Sequence, residues 1–177
     1  MSGLREYLQV KREKMLAWRK KISADGSQPS TISAQVTAEG RSGVRRIRIK
    51  DHQIILDSSP ELAGYGLGPG SQEVQLGVLG SCLTHVYLTQ AALQSVPLDA
   101  LSVNVTAEID HRATQEAFAH LPVWPQNLRY TVQVSSPASD EQLAAVLAAV
   151  EKTCPIYDFL IRPQTITGAV QRIQAEG

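Results

Sequence analysis

The 177-residue sequence lacks an excess of charge of either sign, because 17 basic and 17 acidic residues give a formal net charge of zero. Such a balance gives no general reason to expect nucleic acid as a partner. Charged residues make up 19% of the chain and hydrophobic residues 43%, which indicates a folded globular protein rather than a disordered one. The length corresponds to one domain, or two at most, and suffices to bury a core without metal ions or disulfides.

Long hydrophobic runs are also absent. The first residues contain no apolar stretch of the kind that a secretory signal requires. The most apolar segment, residues 74–93, is interrupted by six polar residues and is predicted not to span a membrane. We therefore expect a soluble cytoplasmic protein without a membrane partner, in which the two cysteines are reduced thiols.

The balanced total conceals a basic N-terminal segment. Residues 1–21 contain seven basic and two acidic residues, whereas the rest of the chain contains ten basic and fifteen acidic residues. Apolar residues recur in this segment at helical spacing: Leu4, Leu8, Met15 and Trp18. The pattern predicts a helix over residues 3–21. We expect a basic helix and linker (residues 1–30) followed by one domain (residues 31–177). Its basic face is predicted to be solvated, the alternative being contact with a partner subunit, an anionic membrane or nucleic acid.

The first half of the domain predicts short strands followed by one long helix. Alternation and turn residues predict three strands, at residues 32–38, 44–50 and 53–56. A glycine-rich loop, residues 57–70, leads into a helix over about 72–94, with Ser71 as its N-cap. This helix keeps Gly77 and Gly80, although each glycine weakens a helix by ~1 kcal/mol relative to alanine. Because it is apolar nearly all round, we expect it in the core and in a subunit interface.

The second half predicts two further strands and three C-terminal elements. Alternating apolar residues predict two strands, at residues 101–109 and 130–134. A capping box at residues 139–142 opens a helix, and Pro155 favours the start of another directly after Cys154. Residues 165–173 are a candidate last strand. Strands, a long helix, strands and further helices make an α+β fold.

The two cysteines are the main candidates for chemistry, and their settings differ. Cys82 lies in the apolar long helix, where a buried thiol has a raised pKa and is inert unless a cation lies close by. Cys154 precedes a helix that begins with proline, where unpaired N–H groups and the helix dipole favour an anion. The alternative is that both cysteines are small packing residues.

Other motifs carry less information. Cys82 and His85 share a helical face, but no second pair of ligands is evident, so no metal site is predicted. His85 is expected to pack against the thiol or to hydrogen-bond to it. The glycine-rich loop lacks the spacing of a phosphate-binding motif and is predicted to be a mobile loop over the helix N-terminus.

Three segments, in their order and spacing, resemble the OsmC/Ohr family of thiol-dependent hydroperoxide reductases and related redox proteins. They are residues 40–43 between the first two strands, residues 79–83 in the long helix and residues 154–156. The resemblance extends over residues 31–173. It implies an OsmC-like fold, with antiparallel sheets packed around a long central helix in an intertwined homodimer, to which this chain adds an N-terminal helix.

The resemblance also implies roles for particular residues. Cys82 is similar to the peroxidatic cysteine of the family, Cys154 to the resolving cysteine, and Arg41 to the arginine beside the reactive thiolate. In the hydroperoxide reductases a glutamate ten residues before the first cysteine pairs with that arginine. Here Gln72 occupies that position, and its amide can hydrogen-bond to a guanidinium but cannot form the ion pair. Its neighbour Glu73 is the second candidate for this supporting role.

The function implied is the reduction of an organic hydroperoxide or of hydrogen peroxide. Cys82 forms a sulfenic acid, which condenses with Cys154 to a disulfide that an external thiol reductant reduces. No cofactor is required. The expected apolar substrate wall is Leu79, Leu83 and Val86, together with Tyr65 or Phe159. The alternative function is that of an OsmC-like stress-response protein that binds an apolar ligand in the same pocket and has little peroxidase activity.

Overall fold

A computed structural model of the chain describes residues 3–26 and 28–172. These residues form four α-helices and two antiparallel sheets, joined by loops and single turns of 3₁₀-helix. The helices and strands, in chain order, are α1 (Gly3–Asp25), β1 (Gln35–Ala38), β2 (Arg45–Ile49), β3 (His52–Leu56), α2 (Ser71–Leu93), β4 (Ala100–Glu108), β5 (Gln126–Ser135), α3 (Asp140–Thr153) and α4 (Pro155–Ile161). The α+β class predicted from the sequence is confirmed.

The two sheets differ in their relation to the core. Strands β4 and β5 form a long antiparallel ladder in which Val103 lies opposite Val132 and Val105 opposite Tyr130. Half-buried and exposed residues alternate along both strands, because one face packs on α2 and the other faces solvent. The sheet β1–β2–β3 is largely exposed and is not among the elements that pack extensively on α2 in the described chain.

Helix α2 is the centre of the core. It packs against β4, α1, α3 and α4, which explains why its sequence is apolar on nearly every side. A Cβ atom at Gly80 would lie 3.3 Å from Val105 Cγ2, so this glycine allows helix and strand to approach closely. The N-cap is Gly70 rather than the predicted Ser71, and the Glu73 carboxylate accepts a hydrogen bond from the Gly70 N–H at 2.7 Å.

Helix α1 is docked on the core. Leu8 is 5% exposed and belongs to the buried cluster around α2. Arg5 donates two hydrogen bonds to the Asp99 carboxylate, at 2.6 and 2.8 Å, and so fixes the start of the helix. The basic residues from Arg12 onward are exposed. The domain boundary at residue 30 stays a prediction, although α1 shares the core of the domain that follows it.

The expected last strand is wrong. Residues 165–172 form no strand, because no strand of either sheet in the described residues pairs with them; Ile173 lies outside the described residues.

Helix α2 is, by length and composition alone, apolar enough to cross a membrane. A core helix meets the same criteria, and α2 buries much of its surface inside the chain.

Candidate functional site

The two cysteines, 72 positions apart in the sequence, meet in the structure. Both are free thiols, and the Cys154 thiol donates a hydrogen bond to the Cys82 sulfur with an Sγ–Sγ distance of 3.4 Å. Cys82 is carried by α2, and Cys154 is the residue between α3 and α4. The buried residues Val146 and Val150 fix α3 against the core, and α2 contacts both α3 and α4. The packing of three helices therefore sets the distance between the sulfurs.

Cys154 is a buried, protonated thiol. It is 0% exposed, and burial raises its pKa, as do the hydrogen bond to Cys82 and the charge of that residue. The backbone N–H groups of Tyr157 and Ile156, at the start of α4, act in the opposite direction and lower the pKa. Because burial is the largest of these effects, Cys154 keeps its proton at neutral pH. It is thereby the hydrogen-bond donor to the Cys82 sulfur.

Cys82 is half-buried and opens into a groove of about 690 Å³ along one side of α2. The groove is lined by Pro69, Glu73, Val74, Gly77, Val78, Ser81, Cys82, His85 and Ile156. Its walls are mainly apolar, and two of its lining residues, Glu73 and His85, carry ionisable groups other than the thiol. A small molecule with an apolar body can thus reach the Cys82 sulfur, whereas it cannot reach that of Cys154.

The apolar wall differs from the predicted one. Leu79, Leu83 and Val86 are buried in the core on the opposite side of α2, at 4%, 1% and 8% exposure. Tyr65 and Phe159 are exposed and do not line the groove in this chain. Val74, Val78 and Ile156 form the wall instead. Helical periodicity identified α2 correctly, but it does not say which apolar side faces the core when all sides are apolar.

Arg41 is not brought to the thiol by any contact in the described chain. It lies in the turn between β1 and β2, and its side chain is exposed. No hydrogen bond or ion pair joins its guanidinium to another described residue. The same turn is closed by Ser42, whose hydroxyl donates to the Glu39 carbonyl oxygen at 2.9 Å. Within one chain, therefore, Arg41 does not lie beside Cys82, where the resemblance would place it.

The two supporting candidates are adjacent on α2, but only one of them faces the groove. Glu73 lines the groove and accepts a hydrogen bond from Gly70, whereas Gln72 is exposed and is not among the lining residues. The carboxylate nearest to the thiol in this groove is thus that of Glu73. Its hydrogen bond to the N-cap holds it at the start of the helix.

His85 and Lys11 form a feature that the sequence analysis did not identify as a pair. His85 was predicted to pack against the thiol or to hydrogen-bond to it; among the described residues the side-chain partner of the Cys82 sulfur is Cys154. His85 lines the same groove as Cys82, near the charge of Lys11 on α1. The signal was present in the sequence, since Lys11 falls on the apolar stripe that contains Leu4, Leu8 and Met15.

The loop at residues 57–70 is organised by one buried carboxylate. Asp57, 1% exposed, accepts hydrogen bonds from the backbone N–H groups of Ser58, Tyr65 and Leu67 at 2.8, 2.9 and 3.1 Å. Its own N–H donates to the Pro69 carbonyl at 3.3 Å, which ties the two ends of the loop together. The loop predicted from the sequence to be mobile is therefore internally bonded, and it positions Pro69 at the rim of the groove.

The described residues contain no group of three or more histidine, cysteine, aspartate or glutamate side chains placed to hold a metal ion. Chemistry at this site accordingly starts from the two thiols and from the ionisable groups beside them. The arrangement suits nucleophilic attack by an accessible sulfur, followed by bond formation to a second, sheltered sulfur.

Comparison with known proteins agrees with this fold. No curated protein sequence matches the chain. The OsmC-like protein from Mycoplasma pneumoniae has a similar structure, with a TM-score of 0.64 and 18% identity over 75% of this chain and 89% of that one. An OsmC-like protein of unknown function from Vibrio cholerae has a TM-score of 0.57 and 18% identity, over 74% of this chain and 94% of that one. The organic hydroperoxide resistance protein OsmC from Legionella pneumophila has a TM-score of 0.55 and 14% identity, over 76% of this chain and 92% of that one.

At these identities the solved structures establish the fold alone. The family itself is established by sequence, because the model of the OsmC-like protein family matches residues 64–168, more than half of the chain. The matched region includes both cysteines, the groove and most of the core. The chain therefore belongs to the OsmC-like protein family.

Proposed function

We propose that the protein is a thiol-dependent peroxidase in which Cys82 reacts with the peroxide and Cys154 resolves the product. The observation that carries the proposal is the 3.4 Å separation of the two sulfurs at the end of an accessible groove. A disulfide bond is about 2.05 Å long, so a small movement of either side chain forms it.

The reaction proceeds in two balanced steps. The Cys82 sulfur attacks the terminal oxygen of the hydroperoxide, an S–O bond forms, the O–O bond breaks, and an alcohol or water leaves after protonation. The sulfur is oxidised by two electrons to a sulfenic acid, and the peroxide is reduced. Cys154 then attacks the Cys82 sulfur, so that a disulfide forms and water leaves. An external thiol reductant returns both residues to thiols.

The difference in exposure between the two cysteines supports these roles. Only Cys82 opens into the groove, and only Cys154 is completely buried. Cys154 also donates a hydrogen bond to the attacking sulfur, which holds the two sulfurs beside each other. The peroxide therefore meets Cys82 first. The apolar walls formed by Val74, Val78 and Ile156 favour an organic hydroperoxide over hydrogen peroxide.

We further propose that the active protein is a homodimer and that Arg41 reaches the thiolate across the interface between two copies. Three observations support this. Arg41 has no partner among the described residues of its own chain, the sheet that carries it packs little on α2, and the accessible side of α2 is open at Gly77 and Val78. A guanidinium placed there is charged at every relevant pH and stabilises the thiolate.

The second candidate function is the binding of an apolar ligand without turnover. The groove favours it, because its walls are mainly apolar and Gln72 departs from the glutamate of the hydroperoxide reductases. In that case the two thiols remain reduced in the presence of peroxide, and a hydrophobic probe binds equally well to wild type and to a variant without Cys82.

The deciding experiment is peroxide consumption with a dithiol reductant. Cumene hydroperoxide, tert-butyl hydroperoxide and hydrogen peroxide are compared for wild type, Cys82→Ser and Cys154→Ser. We expect turnover by wild type, fastest with cumene hydroperoxide, and no turnover above the protein-free rate for Cys82→Ser. Equal consumption by wild type and Cys82→Ser contradicts the peroxidase proposal and leaves the ligand-binding function.

A further inference from the structure

His85 is an ionisable side chain in the groove, and the proposed chemistry of the two thiols gives it no role. It lies one helical turn after Cys82 on α2, and both residues line the same groove. Its ring makes no hydrogen bond to another described residue. The ring nitrogens are thus free to accept a proton, and the thiol in the same groove must lose one. A histidine in this position can act as a general base.

The other ionisable groups near the thiol are engaged elsewhere. Glu73 accepts a hydrogen bond from Gly70 at 2.7 Å and is held at the helix start. Cys154 is the hydrogen-bond donor to Cys82 and is protonated. On α4, Asp158 pairs with Arg162 at 2.7 Å. Among the described residues that line the groove, His85 is therefore the group available to accept the proton of Cys82.

A lysine from α1 acts on this histidine. Lys11 is 9% exposed in the contact between α1 and α2, and its ammonium contacts the hydroxyl and the ring of Tyr7, at 3.5 Å and 5.7 Å. No carboxylate in the described chain pairs with it. The packing of α1 on α2 therefore holds this lysine, and its charge, at the interface between the two helices.

Burial and the charge of Lys11 together favour the neutral form of His85. Desolvation lowers the pKa of His85 from its ordinary value of 6.5, and the positive charge of Lys11 lowers it further. The titratable groups that line the groove with His85 are Glu73 and Cys82 of α2; α1 contributes the charge of Lys11, and α4 contributes the apolar Ile156. The imidazole is consequently neutral at pH 7, the form in which a ring nitrogen has a lone pair available for a proton.

We propose that His85 is the general base and acid of peroxide reduction and that Lys11 tunes it. This rests on the proposed peroxidase function. The proton of the Cys82 thiol passes to an imidazole nitrogen as the sulfur attacks the terminal peroxide oxygen. When the O–O bond breaks, the imidazolium returns that proton to the departing alkoxide, which leaves as the alcohol. The helix α1, which lies outside the segment matched by the family model, thus contributes to the reaction through Lys11.

The sign of the pH dependence follows. A lowered pKa keeps His85 neutral over the whole range above 6.5, and protonation removes the base only as the pH falls through the lowered value. Replacing Lys11 by methionine keeps the apolar stem and removes the charge. The pKa of His85 then rises toward its ordinary value, and the acidic limb of the rate profile moves to higher pH.

The test is the rate of Cys82 oxidation by cumene hydroperoxide from pH 5 to 8, in the full-length chain. The variants are His85→Gln, Lys11→Met and the matched control His52→Gln, which changes an exposed histidine on β3. We expect His85→Gln to slow oxidation about 100-fold at pH 7, the lower end of general acid–base effects, and to abolish the acidic limb. Lys11→Met keeps most of the rate at pH 8 and shifts that limb upward.

Alkylation of Cys82 by iodoacetamide, in a Cys154→Ser background, separates this inference from the proposed function. The wild-type profile is expected to contain an inflection from His85 that is absent in His85→Gln and shifted upward in Lys11→Met. Oxidation of His85→Gln within twofold of His52→Gln, with an unchanged pH profile, overturns the inference even if Cys82 is peroxidatic. If wild type consumes no peroxide, the peroxidase proposal fails, and an unchanged alkylation profile then removes the role of His85 as base.

Discussion

Cys82 and Cys154 differ in exposure, and in the proposed mechanism this difference determines the order of oxidation. A peroxide that enters the groove would meet Cys82, while the fully buried Cys154 would react only with the sulfur that lies 3.4 Å away. Burial, the hydrogen bond to Cys82 and the charge of Cys82 raise the pKa of Cys154, and oxidation of Cys82 removes the last two of these effects. The N–H groups of Tyr157 and Ile156 then remain to stabilise the attacking thiolate.

One equivalent of cumene hydroperoxide should therefore convert the wild-type chain to a form with an intramolecular disulfide. Intact mass spectrometry should show the loss of two hydrogens, with peptide mapping placing the bond between Cys82 and Cys154. In Cys154→Ser, dimedone should trap a sulfenic acid at Cys82. Cys82→Ser serves as the control and should remain unmodified. A disulfide between two chains, or direct formation of sulfinic acid in wild type, contradicts the resolving role of Cys154.

At the scale of the elements, the rim of the groove depends on how the loop 57–70 is held. The Asp57 carboxylate accepts hydrogen bonds from three backbone N–H groups. Arg45, on β2, donates a hydrogen bond of 3.0 Å to the backbone carbonyl of Asp57. Position 64 requires glycine because the backbone of Ser58 passes close to it, and a Cβ atom there would collide with that backbone. The hydrogen bonds from Ser58, Leu67 and Tyr65 lower the pKa of Asp57 below 3.8. The Asp57 carboxylate is therefore ionised at every pH above that value, and over that range its hydrogen bonds stabilise the loop.

Asp57→Asn should loosen this loop without unfolding the core. The amide has one oxygen in place of two, so at least one of the three backbone N–H groups loses its acceptor. Chymotrypsin should cleave after Tyr65 or Leu67 about tenfold faster at pH 7, since cleavage follows the population of the open loop. Asp51→Asn, in the exposed turn between β2 and β3, is the matched control. Equal cleavage rates for both variants would show that Asp57 does not hold the loop.

The elements also show how far the sequence alone leads. Helical spacing, the capping box at Ser139 and the proline after Cys154 predicted α1, α2, α3 and α4 to within a few residues. These signals are local, and local signals specify elements well. The strand at residues 165–172 was predicted wrongly because strand formation needs a pairing partner, which spacing within one segment does not reveal.

The candidate site was less predictable than the elements. The resemblance selected Cys82 and Cys154, but their 3.4 Å contact depends on the packing of α2 against α3 and α4, which no local pattern encodes. The influence of Lys11 on His85 was missed because the basic face of α1 is predicted from the sequence to be solvated. Lys11 comes near His85 only through the tertiary docking of that helix.

At the scale of the whole molecule, one chain leaves a large apolar surface uncovered. Exposed side chains include Tyr65 and Leu67 of the loop, each 65% exposed, and Val78 of α2, 44% exposed. Exposed apolar side chains that form a patch mark interfaces in soluble proteins. Val78 also lines the groove of Cys82, so a second copy seated on this side of α2 would cover apolar surface and shape the site at once.

Gly77 gives the sharpest test of that assembly. A Cβ atom at this position would meet nothing within 4 Å in the single chain, so Gly77→Leu does not overpack the chain itself. Leucine is also the better helix former, by ~1 kcal/mol. If a second copy packs on this side of α2, the added side chain should disrupt the interface by about 1–3 kcal/mol per site. Sedimentation should then show a dimer for wild type and a weakened dimer for Gly77→Leu, with unchanged circular dichroism. Gly168→Leu, which also has open space, is the matched control and should remain dimeric. A wild-type chain that sediments as a monomer at micromolar concentration contradicts the homodimer, and with it the supply of Arg41 from a second copy.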